Sequence, residues 1–387
     1  MASFFYNFNF PLNAKPTYTT SDIVDMEVKM RVGRSMIANS FRVNGILQVS
    51  KVLTDGSIVP ITKEDHVFLD PYCGVHSLFR NVSTIVNGSS VENISYYPRW
   101  AGMKKQAAFT LEGLNTSSDA LVELCGTQNN VLLLGTPNQF APDESGISFS
   151  FKPYTAINGS VANLPQSKFP SVRTVFNMVS PLEALYTTHI ADDEYMQDPA
   201  TGFTNLTYSI TQLQYTWYET QEAGPVPSPM TFETCSLITS TMLTSYATFA
   251  MTAANLYSAL SLSFIQQKNR NNLFANNNLC EFVAGIEPVS GKGQVLLLVD
   301  SNNAVTTYPL QSYADIARNY AKSLGAGMKN SITNAYLSKV LSFGVGAQYA
   351  VSENDRLSIQ MIVDPNQFNP SEDPMDVFMY LSGFIQV

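Results

Sequence analysis

Residues 70–97 read DPYCGVHSLFRNVSTIVNGSSVENISYY. A short apolar hook, Val75-His76-Ser77-Leu78-Phe79, leads into the β-branched run Val82-Ser83-Thr84-Ile85-Val86. The run breaks at Asn87-Gly88 and resumes through Val91-Glu92-Asn93-Ile94. Asn-Gly between two such runs predicts a hairpin, because a type I′ turn requires positive φ at both central residues. Nothing in the stretch is equipped for chemistry, so it reads as architecture.

Working outward, the same period-2 style recurs. Met26, Val28, Met30 and Val32 alternate with Glu27, Lys29 and Arg31, which puts one apolar face on a strand. Phe41-Arg42-Val43 and Ile46-Leu47-Gln48-Val49, with Asn44-Gly45 between them, predict a second strand pair or a kinked strand, and Asp55-Gly56 marks a tight turn. Pro98 to Phe109 carries helix formers and predicts one short helix. Strands are expected at Val131–Leu134, at Ile147, Phe149 and Phe151, and from Ser171 to Met178. Leu206, Tyr208 and Ile210 alternate with polar partners; then the apolar phase slips by one and resumes at Leu213, Tyr215 and Trp217. One extra residue is what a β-bulge inserts, so a bulge is expected near Thr211-Gln212.

Gly224-Pro225-Val226-Pro227-Ser228-Pro229 is the clearest boundary, since closely spaced prolines continue neither a ladder nor a helix. The second half repeats the style. Leu260, Leu262 and Phe264 alternate with serines, Val295–Val299 is a continuous apolar run, and Leu357, Ile359, Met361 and Val363 form another strand. Val377–Leu381 and Phe384–Val387 end the chain in sheet. Tyr313, Ile316, Ala317, Tyr320, Ala321 and Leu324 share a helical face between Ser312 as cap and Gly325 as stop. The expected organisation is an aromatic arm over residues 1–20, a first sandwich over 21–222, a connector over 223–230 and a second sandwich over 231–387.

The chain has 387 residues, more than the roughly 250–300 at which a single core stops growing, which favours two domains. Charged residues make up 14% and apolar ones 45%, a balance that favours strands and turns over solvated helices. Net charge is −9 and no run of four Lys or Arg occurs, so direct nucleic-acid binding is not expected: counterion release from phosphates needs basic residues. Thr234 to Gln267 contains no charge, but eleven Ser or Thr between Ser236 and Phe264 argue for a buried or subunit-facing β segment, not a membrane span. The first residues, MASFFYNFNFPLNAKP, lack the basic and apolar regions of a secretory signal. Phe4, Phe5, Tyr6, Phe8 and Phe10 there predict contact with a neighbouring subunit or a membrane, since five aromatics on a free tail would aggregate.

Signals for chemistry are weak. Cys73, Cys125, Cys235 and Cys280 form no close pair and read as buried thiols. His189 precedes Asp192, Asp193 and Glu194, and Glu64-Asp65-His66 is similar, but each lacks a second nitrogen or sulfur ligand and reads as a solvated acidic loop. Gly291-Lys292-Gly293 lacks the rest of a phosphate loop. The N-x-S/T sequons at Asn81, Asn87, Asn93, Asn115, Asn158 and Asn205 read as turn and strand chemistry. No catalytic residue, metal centre or cofactor is expected, and the chain does not read as an enzyme.

His76-Ser77-Leu78-Phe79 followed by Ile85-Val86-Asn87-Gly88 resembles the opening of the first jelly roll in double jelly-roll major capsid proteins, the coat family of tectiviruses, adenoviruses and virophages. Leu164-Pro165-Gln166-Ser167-Lys168, followed after a strand by Pro181-Leu182-Glu183-Ala184-Leu185-Tyr186, is similar to a later part of tectivirus coat proteins. Residue patterning reaches an all-β pair of antiparallel sandwiches with few short helices. The resemblance implies two tandem eight-stranded jelly rolls, and a virion capsid protein assembled inside a host cell. It further implies a homotrimer that forms a pseudo-hexameric capsomer, with neighbouring capsomers, minor and vertex capsid proteins and an internal membrane as partners. Two rivals stand beside it: a carbohydrate-binding or glycan-processing double β-sandwich, which would want Trp and paired carboxylates in a concave site, and a minor or vertex capsid protein. Thr187–Gly202 and Asn269–Asn278 are expected as exposed loops.

Overall fold

The computed structural model describes residues 3–108, 122–125, 134, 146–222, 224, 229–252, 257–278, 294–301, 304–310, 341–344, 356–362 and 369–387. The helix expected over 312–325, most of the Pro-rich connector, Cys280, Asn115, Gly291-Lys292-Gly293 and the strand expected at Val131–Leu134, apart from Leu134 itself, lie outside them.

Eight principal strands come from the first half: β1 (Phe4–Asn9), β2 (Ile23–Lys29), β3 (Arg42–Leu53), β4 (Phe79–Val86), β5 (Ser89–Ser95), β6 (Ile147–Phe151), β7 (Ser171–Met178) and β8 (Phe203–Gln221). One sheet runs β1-β8-β3-β6 and the other β2-β7-β4-β5, all pairs antiparallel. Eight more follow: β9 (Thr231–Met242), β10 (Tyr246–Thr252), β11 (Tyr257–Gln266), β12 (Gln294–Ser301), β13 (Ala304–Leu310), β14 (Leu341–Gly344), β15 (Arg356–Ile362) and β16 (Met375–Gln386). They pair as β9-β16-β11-β14 and β10-β15-β12-β13. Counted within each half, both give 1-8-3-6 and 2-7-4-5, the winding of a jelly roll. The fold is a double jelly roll.

Alternation builds the first core. Val24, Met26 and Val28 of β2 and Val172, Phe176 and Met178 of β7 point inward, where they meet the other sheet. Phe79 of β4, Phe176 of β7 and Phe151 of β6 form an aromatic triangle with centroids 5.0–5.9 Å apart, tying the two sheets together. The hairpin expected at Asn87-Gly88 is present, with φ of 51° and 84°. The bulge is present too: the β8 ladder to β3 breaks between Thr211 and Gln214, and Gln212 takes φ 51°.

Three expectations need correction. Of the two readings of Asn44-Gly45, the strand pair is wrong and the single strand holds, because β3 runs through it without a turn. Gly45 faces the β8 bulge on one side and pairs with Phe149 of β6 on the other. Residues 1–20 do not stand apart as an arm: β1 is the outer strand of the first sheet, in register with β8 from Phe4↔Thr220 to Asn9↔Tyr215, and Thr17–Thr19 pairs with β8 beside it. The reason is alternation, since Phe4, Tyr6 and Phe8 sit on one face and Phe5, Asn7 and Asn9 on the other. Finally, Asn269–Asn278 is not an outward loop; Leu273, Asn277 and Asn278 are buried.

The described residues include the α-helices α1 (Tyr97–Ala108), α2 (Pro181–Ala184) and α3 (Glu194–Gln197), beside short 3-10 turns at Lys63–Asp65, Gly74–Leu78 and Gln267–Asn269. None is long and apolar enough to cross a membrane.

Candidate functional site

Two surfaces stand out, and the first of these is internal. Residues 70–97 and α1 form the seam between the two barrels. Asp70 accepts from the amides of Tyr72 and Cys73 at 2.8 and 2.7 Å, fixing the turn before the hook, while its second oxygen accepts from Asn276 Nδ2 at 2.7 Å. At the far end of the stretch, Tyr96 packs on Phe378 at 4.8 Å and its carbonyl accepts from Tyr380 Oη at 2.8 Å. One turn into α1, Trp100 stacks on Tyr380 at 5.9 Å. Arg99 lies over the Phe378 ring at 4.3 Å, donates to Ser263 Oγ at 2.8 Å and reaches the Asn277 carbonyl.

The loop at 269–278 completes the seam. Asn277 and Asn278 donate to the carbonyls of Leu182 and Glu183 at 2.7 and 2.8 Å. Phe232 at the start of β9 meets Phe169 edge-on at 5.7 Å. Met230, Phe232, Cys235, Ile265, Leu273, Phe378 and Tyr380 of the second half belong to the same apolar cluster as the first barrel's core. The two barrels therefore share buried surface.

Beneath the hook lies a buried ionic cluster. Lys105 of α1 contacts the Glu123 carboxylate and lies 2.7 Å from Cys125 Sγ; His76 Nε2 stands 3.5 Å from Glu123, and His76 Nδ1 lies 2.9 Å from Tyr97 Oη. Burial alone would raise the Glu123 carboxyl, but the Lys105 ammonium, with His76, holds it down at about 2. Burial pushes the Cys125 thiol up to about 11 and lowers His76, which keeps the thiol protonated and the imidazole neutral near pH 7. The cluster pins α1 to the loop at 122–125. Lys105→Met would leave the Glu123 charge with Arg42 at 3.7 Å as its remaining cation, and removing one partner is the costly way to break a buried pair.

The two weak histidine motifs come together in space. His66 and His189 stack at 4.7 Å, and Tyr195 covers the other face of His189 at 4.6 Å. His189 Nδ1 and Nε2 are used by Asp193 at 2.8 Å and the Glu64 carbonyl at 2.9 Å, while Asp65 turns inward to Lys51 at 2.6 Å. No group of three or more metal-ligating side chains forms among the described residues. Cys73, Cys125 and Cys235 are buried without a disulfide. Asn158 is buried and donates to Thr174 at 2.9 Å, which closes that sequon to a glycan. Both tryptophans, Trp100 and Trp217, are buried as well, so neither offers a platform for a sugar ring.

The second surface is the β1 edge. Phe4, Tyr6, Phe8 and Phe10 are each more than half exposed, and Tyr6 meets the exposed Tyr218 at 5.4 Å. Phe5 points the other way, 3.7 Å beneath the Arg34 guanidinium. Of the aromatics expected at a contact, then, four lie outward in one row and Phe5 supports them. Sequence reading missed Arg99 and Glu92 as seam residues. For Glu92 a signal existed: it alternates in phase with Ile94, on the inward face of β5.

No family model matches the sequence, and no curated protein matches it. In structure it is similar to a chain in the cryo-EM structure of the Sputnik virophage (TM-score 0.60, 11% identity, 99% of this chain and 86% of that one). It is also similar to the Faustovirus major capsid protein (TM-score 0.57, 9% identity, 100% and 91%) and to the mavirus major capsid protein (TM-score 0.54, 11% identity, 99% and 90%). The similarity runs from end to end and lies in the fold.

Proposed function

We propose that this chain is a viral major capsid protein, found in the virion, whose three copies form a pseudo-hexagonal capsomer that tiles an icosahedral shell. The observation that carries this reading is the duplicated winding. Two barrels of identical strand order in one chain let a trimer present six similar units to a six-coordinated lattice site. End-to-end similarity to chains named as major capsid proteins supports it. In this reading 21–222 and 231–387 are the two building units, with β1 added to the first, and the chain is structural, not catalytic.

The row Phe4, Tyr6, Phe8 and Phe10, braced by Phe5, is the contact to a neighbouring capsomer or to a membrane beneath the shell. Covering each such ring is worth about 1.5–3 kcal/mol. With a net charge of −9, the shell leaves neutralisation of the genome to other molecules.

Light scattering of the purified chain across a dilution series tests the reading. A stable mass of three chains that persists on dilution is expected, and Tyr6→Asp with Phe8→Asp keeps that mass while losing larger assemblies. A clean monomer at all concentrations overturns the capsomer.

A further inference from the structure

The seam contains a carboxyl that no cation compensates. Glu92 on β5 is buried, and its two oxygens face neutral groups: Thr234 Oγ1 of β9 at 2.6 Å, the Ala156 amide at 2.8 Å and Thr84 Oγ1 at 3.5 Å. Among the described residues no Lys, Arg or His stands within ion-pair distance of it. On α1, Lys104 is already paired with Glu233 of β9. The other titratable groups around it are Glu233 and Cys235 on β9 and Tyr97 at the start of α1. Cys235 is buried and its thiol is pushed up by that burial, and Tyr97 is likewise raised, so both stay neutral; Glu233 is the remaining charge and it repels a carboxylate at Glu92.

We propose that Glu92 is a proton-operated latch between the two barrels. As the neutral acid it donates to Thr234 Oγ1 across the seam and accepts from the Ala156 amide, leaving no buried net charge. As the carboxylate it must remain in the same dry site beside Glu233 or draw water in by parting β9 from β5.

Burial is the largest influence on this carboxyl and raises it to about 7, against partial opposition from its hydrogen-bond donors. A carboxyl raised in the closed state holds its proton more tightly there than in an open one. The closed seam is therefore favoured fully below the ordinary carboxylate range and loses that advantage as pH climbs to about 7. A rise from 4.5 to about 7 corresponds to an about 300-fold change in the closed-to-open ratio. The latch concerns one chain and stands whether or not the chain forms capsomers.

Amide hydrogen exchange on the full chain between pH 5 and pH 8, corrected for intrinsic rates, tests it. Protection of the Ala156 amide, which donates to Glu92, is expected to fall by about two orders of magnitude over that range, whereas Glu92→Gln stays as protected at pH 8 as the wild type is at pH 5. Equal wild-type protection at both pH values, or an unchanged profile in Glu92→Gln, overturns the latch. If Glu92→Gln does not fold, Thr234→Val serves instead. Without the hydroxyl the neutral acid loses its partner across the seam and protection at pH 5 falls toward that at pH 8; a profile unchanged from the wild type overturns the proposal.

Discussion

Asn44-Gly45 and Asn87-Gly88 are the same dipeptide put to opposite uses. At Asn87-Gly88 both residues have positive φ, a Cβ on Gly88 would meet nothing within 4 Å, and Asn87 Nδ2 donates to the Lys168 carbonyl at 2.8 Å. That glycine serves the backbone. At Asn44-Gly45 the strand continues without a turn, and a Cβ would come to 2.9 Å of Phe149 Cζ and 3.1 Å of Ile210 Cγ2. This glycine serves its neighbours. The left-handed residue of that region is Gln212, in the strand opposite. A dipeptide signals a hairpin only when the chain has somewhere to turn back to. Here the strands on either side of Asn44-Gly45 come from residues 147–151 and 203–216, far along the chain; β3 turns back locally only at its other end, where Ile58–Pro60 pairs with Ser50–Val52.

If the two glycines differ in this way, Gly45→Val should give the largest effect. Its Cβ and methyl groups enter space held by Phe149 and Ile210 on a strand with partners on both sides. Overpacking of this kind costs about 3 kcal/mol, the upper end of the usual range. Thermal or urea unfolding of the purified variant measures it. Gly45→Ala combined with Phe149→Leu should recover much of the loss of Gly45→Ala alone, since the two changes share one volume. Failure to recover would mean that backbone conformation, not space, is what the site requires.

Gly88→Ala comes next. The position is open, so the loss is conformational only, about 1–2 kcal/mol for an L-residue held at positive φ. No second-site reduction in side-chain volume should rescue it, in contrast to Gly45. The same unfolding measurement separates the two classes of glycine.

These cases show where the sequence was legible. The hairpin, the β8 bulge, α1 and most strand positions follow from local period and turn chemistry, and the structure carries them at the expected residues. The winding of the barrels was not readable locally, because apart from the hairpins β4–β5 and β12–β13 the pairings that define it join distant segments. The β1 edge was misread as an arm because its aromatics drew attention away from their own alternation. Its partner, β8, lies some 200 residues on. The seam was half legible. The stretch 70–97 announced itself, but the charged groups that make the seam distinctive, Arg99 and Glu92, gain their character from residues of the other barrel.

Gln212→Gly is the smallest change and has the opposite sign. Gln212 sits at φ 51° in the bulge, an arrangement that costs an L-residue energy which glycine does not incur. Against that gain stands the greater freedom of glycine in the unfolded chain, which takes back part of it. The net expectation is a stabilisation of about 0.5 kcal/mol, read as a small rise in the unfolding midpoint. The bulge itself should persist, because it is required by the apolar phase on either side: Ile210 and Leu213 must both face the core, and only an extra residue between them allows it. A fall in stability would mean that the Gln212 side chain holds the bulge in place, and the contrast between backbone-serving and neighbour-serving positions would then have to be redrawn for β8.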